Sequence, residues 1–321
     1  MKIIKFIFTS VKNLFIRFFN FGCGVAFYSF LFEIAIRVLH ESSLKNKIVE
    51  CKHKAIKCYL KSKYKYVVTQ IINKSYKEEK PKICTENIWV CWWQGEDNLD
   101  KLTSCCINSI RRHANGHPVK FISKYNFKDY VDIPIHILNK MNNGIITITH
   151  FSDILRMYLL YTYGGLWLDA TMYLTKDISN TIFTVPLYSQ KGENFGNFVS
   201  ECQWSGFFIA GRKNAILFDF MKEMFSAYWK NENILIDYYL IDYFIRIGYE
   251  EVPEIKKAID NIPYNNIHLY SLEAVLNDRY DDKLFKEINS NTSFYKLSRK
   301  SPHTEYTHDG ASTFYHYILN S

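Results

Sequence analysis

The sequence predicts an α/β protein with a mostly parallel central sheet, helices on the faces of that sheet, and a helical arm at the N-terminus. Three observations predict it. Between residues 88 and 174, short bulky apolar runs alternate with segments of helical periodicity. Hydrophobic residues make up 48% of a 321-residue chain, enough for a sizeable core and too many for a disordered one. The first 80 residues carry a charge balance of +11 and the remainder −3, so the two parts differ in kind. Pro81 marks the change, giving an arm over residues 1–80 and a main domain over 81–321.

Residues 1–40 hold nine Phe and no acidic residue before Glu33, with Lys2, Lys5, Lys12 and Arg17 between them. The uncharged run Phe18–Phe32 is 15 residues long, short of the ~20 that a spanning helix needs. Asn20, Gly22 and Gly24 interrupt it, and no small-residue cleavage site follows, so a signal peptide does not fit. The segment reads as an interfacial, Phe-rich basic helix lying on the cytoplasmic leaflet of a membrane. The competing reading is a helical hairpin packed against the main domain. Residues 41–80, with Lys45, Lys47, Lys52, Lys54, Lys57, Lys61, Lys63 and Lys65, read as a helical connector whose basic face meets either water or lipid.

The net charge of +8 therefore belongs to the arm, which argues against a nucleic-acid groove in the main domain. Eight cysteines include no C-x-x-C pair and no His/Cys cluster with zinc spacing. They read as buried free thiols of a reducing compartment rather than a secreted disulfide framework.

In the main domain, Ile88–Trp93 is an aromatic, β-branched run and predicts a buried strand ending at Gln94-Gly95. Leu102–His113 predicts a helix, and Val119–Ser123 and Ile135–Leu138 predict two more strands. Ser152 is expected to cap the next helix, with Leu155, Tyr158 and Leu159 at helical spacing and Gly164-Gly165 stopping it. Leu166-Trp167-Leu168 then predicts a strand that ends on Asp169. A carboxylate at the end of a buried strand costs free energy unless something pairs with it, and a metal ion or polar substrate would do so. Asp153 and Arg156 are three apart on a markedly apolar helix, so they share a face that is expected to line a cavity. Ligands of open α/β sheets bind beyond the carboxyl ends of the strands. That places Trp92, Trp93, Gln94 and Gly95 where a nucleotide base could stack, with one of the two Trp facing the ligand. Asp237 and Asp242 fall in an aromatic helical pattern, DYYLIDYFI.

These blocks together resemble the bacterial capsular polysaccharide synthesis glycosyltransferases, related to the transferases that carry a DxD motif. Ser152–Leu174, SDILRMYLLYTYGGLWLDATMYL, is the specific part. IWVCWWQG, CINSIRRH, FFIAGRKN, DYYLIDYFI and YKLSRK stand around it in the expected order, so the resemblance covers roughly residues 81–321. It implies the GT-A fold and transfer of a hexose, with retained anomeric configuration, from a nucleotide diphosphate sugar. The implied acceptor is a hydroxyl of a lipid-linked glycan, met at the inner face of the cell membrane.

The resemblance also implies roles for residues. Asp153 and Arg156 would contact the donor sugar and its phosphate, with Gly164 and Gly165 counted in the same donor site; Asp242 is a candidate to approach the donor or the acceptor sugar, or else caps or pairs within the fold. Asp169 would be the first carboxylate of the DxD pair and hold Mn²⁺ or Mg²⁺ on the donor diphosphate. The second carboxylate is replaced by Thr171, which faces the same side of the strand. Thr171 could ligate through water, another residue could complete the shell, or metal dependence could be weak. Lys296, Arg299 and Lys300 are candidates to neutralise the departing diphosphate. His303, His308 and His316 are candidate C-terminal metal ligands, as occurs in distantly related transferases. Two other functions share the sequence evidence: a sugar-phosphate transferase using the same donor site, and a non-catalytic carbohydrate-binding or assembly protein.

Overall fold

The structure is a computed structural model that describes residues 2–40, 42–74, 86–193 and 196–321. The expected boundary at Pro81 lies outside the described residues. In chain order the helices are α1 (Lys2–Val38), α2 (Ser43–Lys63), α3 (Lys65–Asn73), α4 (Lys101–Arg112), α5 (Ile135–Asn142) and α6 (Ile148–Tyr163). They continue with α7 (Thr181–Thr184), α8 (Ile216–Asn231), α9 (Leu240–Glu251), α10 (Pro253–Asp260), α11 (Ser271–Val275), α12 (Asp282–Ile288) and α13 (Phe314–Leu319). The strands are β1 (Ile88–Cys91), β2 (Val119–Ile122), β3 (Gly165–Asp169), β4 (Met172–Leu174), β5 (Leu187–Ser189), β6 (Phe208–Gly211) and β7 (Phe294–Lys296).

Five strands form the main sheet in the order β2-β1-β3-β6-β5. β1 runs parallel to β2 and β3, with Val90 opposite Phe121 and Leu168. β6 runs antiparallel to both β3 and β5, so four strands point one way and one is reversed. Alternation along the central strands explains why both faces are covered. Trp89 and Trp167 point into the core shared with α6, α8 and α9, whereas Ile88, Val90, Leu166 and Leu168 point to the opposite core with Ile107 and Ile110 of α4. β4 and β7 form a separate antiparallel pair, with Met172 opposite Lys296. That pairing carries Lys296 to the end of β3.

The residues 135–138, expected as a strand, are instead the first turn of α5. A four-residue apolar run is too short for periodicity to separate strand from helix. Only Ile137 of the four is fully buried, and His136 Nε2 lies 3.0 Å from the Ser226 carbonyl of α8. The cap of α6 is Thr147, not Ser152: the His150 N–H donates to Thr147 Oγ1 at 3.3 Å. Ser152 lies inside the helix and donates to the Thr149 carbonyl at 2.8 Å. Asp237 lies before α9 rather than in it.

Gly22 divides α1 into two helical arms, with φ 83° and ψ 174° breaking the helix there. The arms fold against each other: Arg17 pairs with Glu33 at 2.6 Å, and the Arg37 guanidinium lies 3.6 Å from the Phe6 ring centre. The expected single interfacial helix is thus a hairpin. Phe21 and Val25 join the main core near Tyr59 and Tyr64, while Phe8, Phe15, Phe18, Phe19 and Phe27 are exposed. By length and composition alone, the stretch Phe6–Val38 is apolar enough to cross a membrane, with mean hydropathy 1.5.

Four of the seven lysines of α2 form ion pairs with acidic residues elsewhere in the chain. Lys52 pairs with Asp237 at 2.5 Å, Lys57 with Glu250 at 2.5 Å, Lys61 with Glu251, and Lys63 with Glu232 at 2.5 Å. Val67, Val68 and Ile71 of α3 enter the same core as α8. Much of the basic face expected over residues 41–80 is therefore spent on the acidic edge of α9 and the end of α8.

Candidate active site

β3 delivers Asp169 to its carboxyl end, where the side chain is only partly covered, with 31% exposure. Its backbone N–H donates to the Phe207 carbonyl at 3.0 Å, which fixes the strand end. Three donors then converge on the carboxylate. Arg156 Nη2 and Trp167 Nε1 each reach Oδ1 at 3.0 Å, and Lys296 Nζ reaches Oδ2 at 2.9 Å. Lys296 also donates to Thr171 Oγ1 at 2.8 Å. Asp153 and Arg156 share one face of α6 as expected, with Arg156 Nη1 3.2 Å from Asp153 Oδ1. The Arg156 side chain is 4% exposed, and its guanidinium sits 4.8 Å from the Trp167 ring centre. Its Nε is buried with no hydrogen-bond partner.

Burial alone would raise the Asp169 carboxyl. The charges of Lys296 and Arg156 and the hydrogen bonds from Trp167 and Lys296 prevail and hold it below the ordinary carboxylate range. Asp242 behaves oppositely: burial, with Asp153 as a charged neighbour, pushes it up to about 7 despite a hydrogen bond of 2.9 Å from Trp204 Nε1. The Cys91 thiol, at the end of β1, is pushed up to about 12 by burial and by Asp169, so it is not an available thiolate nucleophile.

Asp242 gives a pH prediction with a definite sign. The unfolded chain ionises this carboxyl near pH 4, whereas the fold keeps its proton until about 7. The folded state therefore binds more protons between those values, and this group lowers stability as pH rises through that window. Asp242→Asn is expected to remove that fall, so its stability relative to wild type improves steadily from pH 4 to pH 7. Urea midpoints measured across that range check the slope; a constant difference between the two proteins contradicts it.

The other expected site residues are placed as follows. Trp92 is half-buried, lies 4.5 Å beneath the Arg299 guanidinium, and donates from Nε1 to the Asn98 carbonyl at 3.2 Å. Trp93 packs on Phe127 and Phe151 at 5.2 Å each. The Gln94 carbonyl accepts from Asn98 Nδ2, and Gly95 turns the chain beneath Tyr125 with φ 95°. Gly164 and Gly165 sit at the opposite end of β3 from Asp169, about 13 Å away along the strand. Arg299 pairs with Asp100 at 2.5 Å, and Lys300 is exposed. His303 Nε2 is 2.8 Å from the Ser298 carbonyl, His308 is exposed, and His316 lies 3.6 Å from Glu305. None of these three histidines contacts Asp169 or Thr171 through the described hydrogen bonds and ion pairs.

Sequence reasoning missed Trp167, Trp204 and Gly206. Trp167 carries a signal, since it stands two residues before Asp169 on the same face of β3. Gly206 makes room for Arg156: a Cβ there would lie 3.0 Å from Nη1. The pairing of Trp204 with Asp242 spans 38 residues and has no local signature.

Both Asp169 oxygens and Thr171 Oγ1 already accept bonds from fixed cations or N–H groups. Among the described residues there is no group of three or more His, Cys, Asp or Glu that could hold a metal.

A partly exposed, charge-paired carboxylate thus stands at the carboxyl end of a mostly parallel sheet, the end at which open α/β proteins bind their ligands. The chain belongs to the capsular polysaccharide synthesis protein family, whose model matches residues 36–318. The match begins within α1 and takes in α2 and α3, so it reaches further toward the N-terminus than the resemblance read from the motifs. The chain is also similar to O-glycosyltransferase braB of Annulohypoxylon truncatum, 25% identical over 164 residues, covering 46% of this chain and 39% of that protein. It is 24% identical over 168 residues to O-glycosyltransferase PaGT of Phomopsis amygdali, covering 48% of this chain and 41% of that protein. It thus spans about two fifths of these curated relatives. No solved structure matches it.

Proposed function

We propose that this protein is a glycosyltransferase with a GT-A fold that moves a hexose from a nucleotide diphosphate sugar to a hydroxyl of a lipid-linked surface polysaccharide intermediate. The observation that carries this reading is the Arg156–Asp169–Lys296 cluster at the carboxyl end of β3, flanked by Asp153. Family membership and the two O-glycosyltransferase relatives support the transferase class. Arg156 supplies a planar fork suited to phosphate or sugar oxygens, and its buried, unpartnered Nε is a donor waiting for an acceptor. In the reaction the bond between sugar C1 and the β-phosphate oxygen breaks, and its electron pair leaves on the diphosphate. The acceptor oxygen bonds to C1, and its proton passes to the departing phosphate or to water. Arg156 and Lys296 stabilise the charge that grows on the diphosphate. Asp153 orients Arg156, and Asp242, which keeps its proton until about pH 7, can donate a hydrogen bond to a sugar hydroxyl in that form.

The test is nucleoside diphosphate release across a panel of nucleotide sugars, followed by the mass of the product formed on lipid-linked acceptors. Release of one nucleoside diphosphate with gain of a hexose supports the proposal. Gain of a hexose phosphate indicates a sugar-phosphate transferase. No turnover and no nucleotide binding by folded protein indicates a non-catalytic carbohydrate-binding or assembly role.

Association with the inner face of the cell membrane belongs to the same proposal. The α1 hairpin turns one face to α2 and exposes the other, with Phe8 77% and Phe19 80% accessible. Burying each ring in lipid is worth about 2 kcal/mol, so Phe8→Ser with Phe19→Ser is expected to weaken binding to anionic phospholipid vesicles at least tenfold. Co-sedimentation checks it; wild-type protein that stays wholly in the supernatant contradicts it.

A further inference from the structure

We infer that the Lys296 ammonium takes the place of the divalent cation in this site, so that the donor diphosphate is bound without a metal. The inference rests on the glycosyltransferase reading and adds the identity of the counter-charge. Lys296 Nζ lies 2.9 Å from Asp169 Oδ2 and 2.8 Å from Thr171 Oγ1, the two side-chain oxygens presented on one side of the chain at the end of β3. A magnesium-sized ion bridging those oxygens would sit roughly 2.1 Å from each. At that distance it would overlap the ammonium and be repelled by it. The second carboxylate that would favour a dication is the neutral Thr171, which suits a singly charged ammonium donor better.

The position of Lys296 is built rather than incidental. It is paired opposite Met172 in the β4–β7 ladder, its backbone N–H donates to the Leu269 carbonyl at 2.9 Å, and its ammonium lies 4.9 Å from the Phe207 ring centre. An ammonium has three N–H donors. Two are engaged by Asp169 and Thr171, and no third acceptor is found among the described residues. The third donor can therefore reach a phosphate oxygen while the first two hold the group in place. Arg156 binds the other carboxylate oxygen of Asp169, so two fixed cations flank one carboxylate at the strand end. Diphosphate charge would be met by side chains that need no reorganisation.

The test is calorimetric titration with uridine, guanosine and thymidine diphosphates, each in excess EDTA and in excess Mn²⁺. One of them is expected to bind wild-type protein with an affinity that EDTA changes by less than about threefold. Lys296→Met is expected to weaken that binding at least tenfold, the scale of a lost charge-assisted hydrogen bond, and Lys296→Arg to recover part of it. Thr171→Asp combined with Lys296→Met, which rebuilds a carboxylate pair and frees the space, is expected to bind only with Mn²⁺. Binding by wild type that requires Mn²⁺ overturns the inference and leaves the transferase reading standing. Unchanged affinity in folded Lys296→Met also overturns it. Absence of binding in both conditions, from protein with native near-ultraviolet dichroism, overturns the inference and the transferase reading together. If Lys296→Met does not fold, the EDTA arm on wild type decides alone.

Discussion

Asp169→Asn is expected to lower donor turnover by about 10²- to 10³-fold and to destabilise the fold by about 3 kcal/mol. The substitution keeps shape and removes one negative charge. The Asn oxygen can still accept from one of the two cations, but Arg156, 4% exposed, would keep only Asp153 as a charged partner, Lys296 would keep none at this strand end, and the new amide N–H₂ would face one of them. Removing one partner of a buried pair costs several kcal/mol because the other charge is left uncompensated, and the partial exposure of Asp169 brings that toward the lower end. Under the proposed function, the loss of turnover follows from misplacing both cations proposed to meet the diphosphate, on the scale seen when one preorganised electrostatic group is removed. The pH dependence separates this from a general packing defect. The folded Asp169 carboxyl lies below its ordinary value, so its stabilisation is present above the ordinary carboxylate range and is lost as pH falls through the lowered value. The variant should lack that acid limb. Turnover of the preferred donor and urea midpoints across acid pH check both parts; a variant with wild-type turnover contradicts the role.

Gly165→Ala is expected to cost about 3–5 kcal/mol. Gly165 has φ +98°, and a Cβ there would lie 2.3 Å from the Asn87 carbonyl oxygen, which is backbone and cannot swing away. Strain at that φ contributes about 1–3 kcal/mol, and forced overlap in a packed position adds a similar amount. Asn87 precedes β1, and its carbonyl accepts the Leu166 N–H at 2.9 Å, so the clash would pry apart the β1–β3 pair that positions Asp169. Gly116→Ala is the control. Gly116 has φ +82° but open space around the new methyl, so only the conformational cost of about 1–2 kcal/mol applies. Equal urea midpoints for the two variants would contradict the close-approach argument.

What could be read in advance follows from the range of each interaction. Asp153 and Arg156 were legible because a three-residue spacing on an apolar helix fixes a shared face. Asp169 was legible because a buried strand ended on a carboxylate with no local charged partner. Lys296 stood among the candidates to neutralise the diphosphate, together with Arg299 and Lys300, but its bond to Asp169 was not legible, since it spans 127 residues and depends on β4–β7 pairing. Ile135–Leu138 shows the limit of short apolar runs: four residues cannot declare their period, and packing on α8 decided for helix. In the arm, Gly22 signalled an interruption but not the fold-back that joins Arg17 to Glu33. The basic excess of α2 overstated its free charge, because Glu232, Glu250 and Glu251 answer it from a part of the chain about 170–190 residues away.

The most direct measurement of the central claim is the structure of the protein crystallised with the nucleoside diphosphate selected by titration. The account predicts diphosphate oxygens within hydrogen-bonding distance of Arg156 and Lys296, at the carboxyl end of β3. A diphosphate bound elsewhere, with Arg156, Asp169 and Lys296 paired only to one another, would contradict it.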